Sequence, residues 1–146
     1  MSMSIRPLEA NDRARWEELF RAYAHFYDAK IDAAVIDLTW ARLLGGKDGF
    51  YGLVAVDETE RPIGFTHLVF HPSTWSQTTY CYLEDLYVDR DARRHGTGRA
   101  LIEAAYREAD RRGATRTYWA TKEDNRAARR VYDRIATLTP FVQYRR

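Results

Sequence analysis

Apolar residues recur along the chain with two periods, and the change of period separates predicted helices from predicted strands. Between Trp16 and Tyr27 the apolar and aromatic positions fall at helical spacing. Asn11 or Asp12 precedes them as a capping residue. A second helix is predicted over Ala33–Leu44, because the Gly45-Gly46 pair that follows is typical of a helix end.

The remaining segments alternate between short β-rich runs and two further helical patterns. Strands are predicted at Ser4–Leu8, Phe50–Val56, Ile63–Phe70, Tyr80–Val88, Thr115–Thr121 and Phe141–Tyr144. Helices are predicted from Leu101 to Ala109, ending at Gly113, and from Asn125 to Ile135. This order predicts an α/β chain of the α+β type, with a mixed, mostly antiparallel sheet flanked by helices in one domain over 1–146.

Composition narrows the class of protein without identifying it. The 146 residues carry a net charge of +2, which is too small to indicate a nucleic-acid partner. No apolar run approaches the length of a membrane span, and the N-terminal segment lacks the apolar centre of a signal peptide, so we expect a cytoplasmic protein. Cys81 is the only cysteine and no Cys/His spacing of a metal site occurs, so no metal is expected.

The stretch Asp91–Ala100, DARRHGTGRA, carries the clearest chemical signal. It places two glycines and several cations between a predicted strand and a predicted helix. Backbone N–H groups at a helix N-terminus bind phosphate, and glycine lets a ligand approach the backbone closely. The dinucleotide fingerprint is excluded because Leu101 stands where its third glycine belongs, and no P-loop string occurs. A plain strand-to-helix turn with solvated arginines is the alternative.

The spacing Arg93-x-x-Gly96-x-Gly98 resembles the pyrophosphate loop of the GCN5-related N-acetyltransferase family. The similarity extends to Leu86-Tyr87-Val88-Asp89 before the loop, to Ile5-Arg6-Pro7-Leu8, and to the element order. It implies acetyl-coenzyme A as the acyl donor, no metal, and a homodimer. By this resemblance the donor is bound by Leu86, Tyr87, Val88, Arg93, Arg94, His95, Gly96, Thr97, Gly98, Arg99, Asn125 and Arg129.

The last predicted helix carries Asn125, Ala128, Arg129 and Tyr132, which share one helix face. The family has an Asn, Ala and Tyr in a late helix, and its Tyr protonates the departing thiolate. The resemblance therefore assigns Tyr132 as catalytic acid, whereas a packing tyrosine is the alternative. The family's Gly-Phe pair after this Tyr is absent, which puts the turn after the helix in doubt.

Glu84 and Asp85 interrupt the apolar strand YCYLEDLYV. Buried acids are unfavourable unless they are paired or functional, and strand alternation sends adjacent residues to opposite faces unless a bulge intervenes. The string resembles the polyamine and thialysine acetyltransferase branch, in which the acidic pair attracts a cationic amine. This implies Glu84 as proton acceptor, directly or through water, and Glu84 and Asp85 as amine-binding residues. Tyr27 is a further amine-binding candidate, because the aromatic-rich segment Tyr23–Tyr27 can line an amine pocket by cation–π contact; core packing is the alternative for this segment. A solvated acid beside an acid paired with arginine is the alternative.

These observations predict an N-acetyltransferase that moves an acetyl group from acetyl-coenzyme A to a primary amine of a small molecule, such as a polyamine, diamine or lysine-like compound. The amine would attack the thioester directly in a ternary complex, with the Leu86 N–H polarising the carbonyl. Two alternatives stay open, a protein or peptide N-acetyltransferase and a non-catalytic acyl-coenzyme A sensor. RNA binding ranks last because no interleaved basic–aromatic stretch occurs.

Overall fold

A single sheet of five strands organises the chain in the computed structural model, which describes residues 2–146. The strand order follows the sequence, β1-β2-β3-β4-β5, and only the last pair is parallel. The bounds are Met3–Pro7 for β1, Phe50–Asp57 for β2, Pro62–His71 for β3, Tyr80–Val88 for β4 and Arg116–Tyr118 for β5. The predicted fold class, a mixed and mostly antiparallel sheet, is confirmed.

Four helices cover the two faces of this sheet: α1 Arg13–Phe26, α2 Ala33–Gly45, α3 Thr97–Arg111 and α4 Arg126–Ile135. Helices α1 and α2 bury Trp16, Ile36 and Trp40 against one face. Helix α3 buries Leu101 and Ile102 against the other. Among residues 2–146, none of the helices has both the length and the apolar character that crossing a membrane requires.

A bulge in β4 decides which of its side chains face which helices. His67 pairs with Asp85 and Leu68 pairs with Leu83, so Glu84 is an extra residue without a partner on β3. Leu83 therefore packs on the α3 side, whereas Asp85 turns toward α1 and bonds to His67. Because of the bulge, neither of the two adjacent carboxylates is buried under α3.

The parallel pairing of β5 with β4 is short. It joins residues 80–82 of β4 to residues 116–118 of β5 and then stops. From Leu83 to Val88 the outer edge of β4 has no neighbouring strand among the described residues. The backbone of Leu86 is thereby left available to a ligand, whereas the Val88 carbonyl accepts a bond from Arg93 Nε.

Most predicted elements lie within two residues of their observed bounds, but three expectations need correction. β5 is shorter than Thr115–Thr121, because its pairing ends where β4 bulges. Asp12 precedes α1 without capping it, since its carboxylate accepts bonds from Arg6 and the Glu9 N–H. The strand predicted at Phe141–Tyr144 is wrong: these residues follow α4 without strand pairing, and Phe141 and Tyr144 are 87% and 93% exposed.

Candidate active site

A cavity of about 530 Å³ opens between the end of α1, the free edge of β4, the start of α3 and one face of α4. It lies where β5 no longer pairs with β4, beside the stretch Asp91–Ala100, which we call the glycine loop. Its walls are formed by Tyr23, Phe26, Tyr27, Leu86, Tyr87, Val88, Arg93, Arg94, Gly96, Thr97, Gly98, Arg99, Ile102, Asn125, Ala127, Ala128, Val131 and Tyr132. Most residues that the sequence assigned to the donor are therefore brought to one place.

The glycine loop has the geometry of an anion site. Gly96 takes a left-handed conformation with φ of 75° and caps α3, so the chain turns sharply into the helix. The first α-helical bond found is Ala100 N–H to the Gly96 carbonyl, at 3.0 Å. The N–H groups of Thr97, Gly98 and Arg99 in the first turn therefore lack intrahelical acceptors and can bind phosphate oxygens.

Thr97 provides independent support for a ligand at this helix end. Its side chain is buried, and its Oγ1 atom has no hydrogen-bond partner among the described residues. A buried hydroxyl without a partner is unfavourable by about 1–3 kcal/mol. Because Thr97 lines the cavity, a phosphate oxygen placed there would supply the missing partner, and the residues present fit the pyrophosphate of acetyl-coenzyme A.

The side chain of Arg93 is folded back over the end of β4. Its Nε donates to the Val88 carbonyl at 3.0 Å, and its guanidinium lies 5.5 Å from the centre of the Tyr87 ring. This places a fixed positive charge at the cavity wall. At Gly98 a Cβ atom would make only an ordinary van der Waals contact, 3.9 Å from Val88 Cγ2, so the packing of the protein itself does not require a glycine there.

Helix α4 presents Asn125 and Tyr132 to the cavity. Asn125 is the residue before the helix, and its Nδ2 donates to Thr121 Oγ1 at 3.0 Å. The Tyr132 ring packs edge-on against Trp119, with centroids 5.3 Å apart. Burial, and then the nearby Tyr27, raises the pKa of Tyr132 to about 12, so its hydroxyl keeps its proton throughout the neutral range.

The two acids of β4 have different surroundings, and neither lines the cavity itself. Glu84 is exposed at the bulge, yet partial desolvation and then the adjacent Asp85 raise the pKa of its carboxyl. Asp85 is only 18% exposed and accepts a 2.8 Å bond from His67 Nδ1. Tyr23 lies between the pair and the cavity, and burial followed by the Asp85 charge raises the pKa of its hydroxyl.

The wall of the cavity at the end of α1 is aromatic. Tyr27 stands at the end of α1, with its ring centre 5.2 Å from that of Tyr23 and 5.3 Å from Lys122 Nζ. It lines the cavity, as expected of an amine-binding residue. The role of Tyr27 in binding an amine stays a prediction.

Two residues assigned to the donor lie apart from the cavity. Arg129 directs its guanidinium to the Glu123 carbonyl at 2.6 Å, which leaves the wall to Ala127, Ala128 and Val131. His95 is exposed in the loop and does not line the cavity. The contact of Arg129 and His95 with the donor stays a prediction.

Sequence reasoning missed three residues beside the acidic pair: Trp16, Tyr23 as a neighbour of Asp85, and His67. Trp16 and Tyr23 carry the helical periodicity of α1, which does not distinguish a packing residue from one that contacts the acidic pair. His67 lies in the apolar run Ile63–Phe70, where nothing distinguishes it from a packing residue. Its contact with Trp16 spans 51 residues of sequence, so only the three-dimensional fold shows it.

Comparison with known proteins identifies the family. The Acetyltransferase (GNAT) family matches residues 13–136, a span that contains the glycine loop, the acidic pair and Tyr132. The chain belongs to the GNAT acetyltransferase family. It is an acyl-coenzyme A-dependent acetyltransferase, and the family uses acetyl-coenzyme A as its donor.

This GNAT enzyme is similar over most of its length to two relatives, and one solved structure shares its fold. It is 34% identical over 143 residues to the D-amino-acid N-acetyltransferase HPA3 of Saccharomyces cerevisiae, covering 97% of this chain and 89% of that one. It is 31% identical to the uncharacterised N-acetyltransferase YhfO of Bacillus subtilis, covering 97% and 95%. The solved structure of AAC(6')-Iy with the bisubstrate analogue CoA-S-monomethyl-acetylneamine shares the fold, with a TM-score of 0.85, 18% identity, and coverage of 100% and 98%.

Proposed function

We propose that this chain transfers the acetyl group of acetyl-coenzyme A to a primary amine of a small molecule, in a ternary complex of both substrates. The observation that carries the proposal is the acidic bulge, because Glu84 and Asp85 stand immediately before Leu86, the first β4 residue of the cavity wall. A carboxylate at this place can accept a proton from an amine that approaches the acyl group.

The donor is recognised mainly by backbone. The N–H groups of Thr97, Gly98 and Arg99 bind the pyrophosphate, with Arg93 close by, and the free edge of β4 pairs with the pantetheine arm as an added strand would. The Leu86 N–H then lies where it can donate to the thioester carbonyl. Such a donor stabilises the negative charge that develops on the oxygen as the amine attacks.

The acceptor needs a base, because an alkylamine with a pKa near 10.4 is almost entirely protonated at pH 7. Releasing that proton costs about 3.4 pKa units, or roughly 4.6 kcal/mol. Asp85 attracts the ammonium group and Glu84, with its raised pKa, accepts the proton directly or through one water. Tyr132 on the opposite wall donates to the sulfur as the thiolate leaves.

The class of amine is the finer part of the proposal. The acidic pair favours cationic acceptors such as diamines, polyamines and lysine-like compounds. The similarity to a D-amino-acid N-acetyltransferase favours amino acids as a second candidate. The two differ at the carboxylate, which an amino acid carries next to its amine and a diamine lacks.

We also propose that the enzyme is a homodimer. Leu138, Phe141, Val142 and Tyr144, in the segment after α4, are between 71% and 93% exposed, and a second copy of the chain would bury them. Light scattering on the purified protein tests this. A monomer at all concentrations would contradict it without affecting the proposed reaction.

A thiol-release assay with acetyl-coenzyme A tests the reaction. The panel should contain a diamine, a polyamine, lysine, D- and L-amino acids, an aminoglycoside and a peptide with a free N-terminus. Turnover with a small amine supports the proposal. Turnover with the peptide alone indicates a peptide acetyltransferase, and tight coenzyme A binding without turnover on any acceptor indicates a sensor.

A further inference from the structure

A buried polar network lies behind the acidic bulge, on the side away from solvent. The indole N–H of Trp16 donates to His67 Nε2 at 2.9 Å, and His67 Nδ1 lies 2.8 Å from Asp85 Oδ2. Trp16 is fully buried and His67 is 2% exposed. Buried polar groups that form a continuous chain toward a reactive site are candidates for positioning it.

The partners of His67 determine where its proton is. An indole N–H is a donor only, so His67 Nε2 must be an acceptor and carries no proton. The proton of the neutral imidazole is then on Nδ1, where it is donated to the Asp85 carboxylate. The ring is enclosed by aromatic groups, with Phe65 stacked at 4.5 Å and Phe20 edge-on at 5.1 Å, which leaves it no other partner or orientation.

Thr66, the residue next to His67 on β3, holds the backbone of Asp85 on β4. Thr66 is fully buried, and its Oγ1 donates to the Asp85 carbonyl at 2.8 Å. Asp85 is therefore held at its main chain by Thr66 and at its side chain by His67. It stands between Glu84, the bulged residue, and Leu86, whose N–H faces the free edge of the sheet.

We propose that His67, fixed in its Nδ1–H form by Trp16, is a positioning residue of the transfer reaction that acts through Asp85. It holds the carboxylate that attracts the ammonium group, while Glu84 beside it stays free to accept the proton. Thr66 holds the backbone on which the Leu86 N–H depends. This inference rests on the proposed function, since it assigns these residues to the amine side of that same site.

Two amide substitutions at His67 separate the two ring nitrogens. In His67→Asn the side-chain amide N–H can replace the Nδ1–H donor toward Asp85. In His67→Gln the amide can replace only Nε2, which accepts from Trp16, and the donor toward Asp85 is lost. We expect His67→Gln to raise the KM for the amine by about tenfold or more, the effect of losing a hydrogen bond to a charged group. His67→Asn should retain most of the wild-type activity, and neither variant should change the KM for acetyl-coenzyme A by more than about twofold.

Nitrogen-15 NMR of the imidazole rings tests the inference on the wild-type protein, without substrates or activity. The chain has four histidines, and the signal of His67 is the one that the His67→Asn variant lacks. We expect a protonated Nδ1 and an unprotonated Nε2. In Trp16→Phe, which removes the indole donor, Nδ1 should stay protonated toward Asp85, while Nε2 becomes able to take up a second proton.

Either of two results would overturn the inference. One is a proton on Nε2 of wild-type His67, which needs no variant to fold. The other is equal amine KM values for folded His67→Asn and His67→Gln, which would leave the histidine a packing role only. Absence of acetyl transfer by the wild type to every acceptor, with the expected tautomer present, would instead refute the proposed function and with it the assignment of these residues to an amine.

Discussion

Removing the hydroxyl of Tyr132 is the sharpest test of how the thiolate leaves. The pKa of this phenol is raised to about 12 by burial and by Tyr27. A thiol has a pKa of about 8.5, so complete proton transfer from the phenol would be uphill by about 3.5 units, or roughly 4.8 kcal/mol. The structure therefore favours a hydrogen bond to the developing thiolate over a completed proton transfer.

The magnitude follows from this distinction. A hydrogen bond to a charged group contributes about 1.5–3 kcal/mol, which corresponds to a rate effect of about 10- to 150-fold. Tyr132→Phe keeps the ring that packs on Trp119, so we expect kcat to fall by that factor and the affinity for acetyl-coenzyme A to change little. The steady-state rate on the best amine, beside a calorimetric titration of the donor, measures both quantities.

The pH dependence of kcat separates the two roles further. Because the pKa of Tyr132 is raised to about 12, the hydroxyl stays protonated through the alkaline range in which the enzyme can be assayed. We therefore expect no fall in wild-type kcat from ionisation of Tyr132 between about pH 8 and 10. The pH profiles of kcat for the wild type and Tyr132→Phe should have the same shape in this range. An alkaline limb that disappears in the variant, or full activity of the variant, would contradict the hydrogen-bond assignment.

Three further predictions concern the base, the donor loop and the fold. Glu84→Gln should lower the rate most at the acidic end of the neutral range, because the pH there is above the raised pKa of Glu84 and far below the pKa of the amine. Near pH 10 the ratio of the variant rate to the wild-type rate should approach one. A ratio that does not change with pH would argue against Glu84 as the base. Gly98→Val should weaken coenzyme A binding by at least about tenfold, or 1.4 kcal/mol, whereas Gly98→Ala should weaken it less. Calorimetry that shows wild-type affinity for coenzyme A in both folded variants would contradict the pyrophosphate site at the start of α3. Asp12→Asn should lower the free energy of unfolding by about 3 kcal/mol, because it breaks the buried pair with Arg6, and urea denaturation measures the loss. The pKa of Asp12 is lowered, since the bonds from Arg6 and the Glu9 N–H outweigh the effect of burial, so the stability from this pair is present above about pH 4 and is lost as the pH falls below it.

Local sequence patterns were sufficient to predict an element wherever residues close in sequence determine its bounds. Tyr80–Val88 was predicted at both ends, because its apolar run is bounded by polar segments on each side. The glycine loop was predicted from its place between a strand and a helix and from its resemblance to the family's pyrophosphate loop; the left-handed turn at Gly96 and the open helix end beside it are local properties of the backbone. These are interactions between residues close in sequence.

Features that depend on distant partners were not predictable in the same way. The bulge at Glu84 is set by the pairing of β4 with β3, and the length of β5 follows from it. Phe141–Tyr144 is rich in aromatic and β-branched residues, as strands are, but no strand edge of the described chain pairs with it. His67 shows no local signal, since both its polar partners come from other elements.

The bulge also makes the proposed base separable from the architecture that carries it. On either side of Glu84 the ladder between β3 and β4 is regular, with Leu68 opposite Leu83 and His67 opposite Asp85. Deleting Glu84 would close that ladder without moving any other side chain to the wrong face. The sheet thus does not require a residue at this position, and the chain can lengthen, shorten or exchange its chemistry there while the same core is kept.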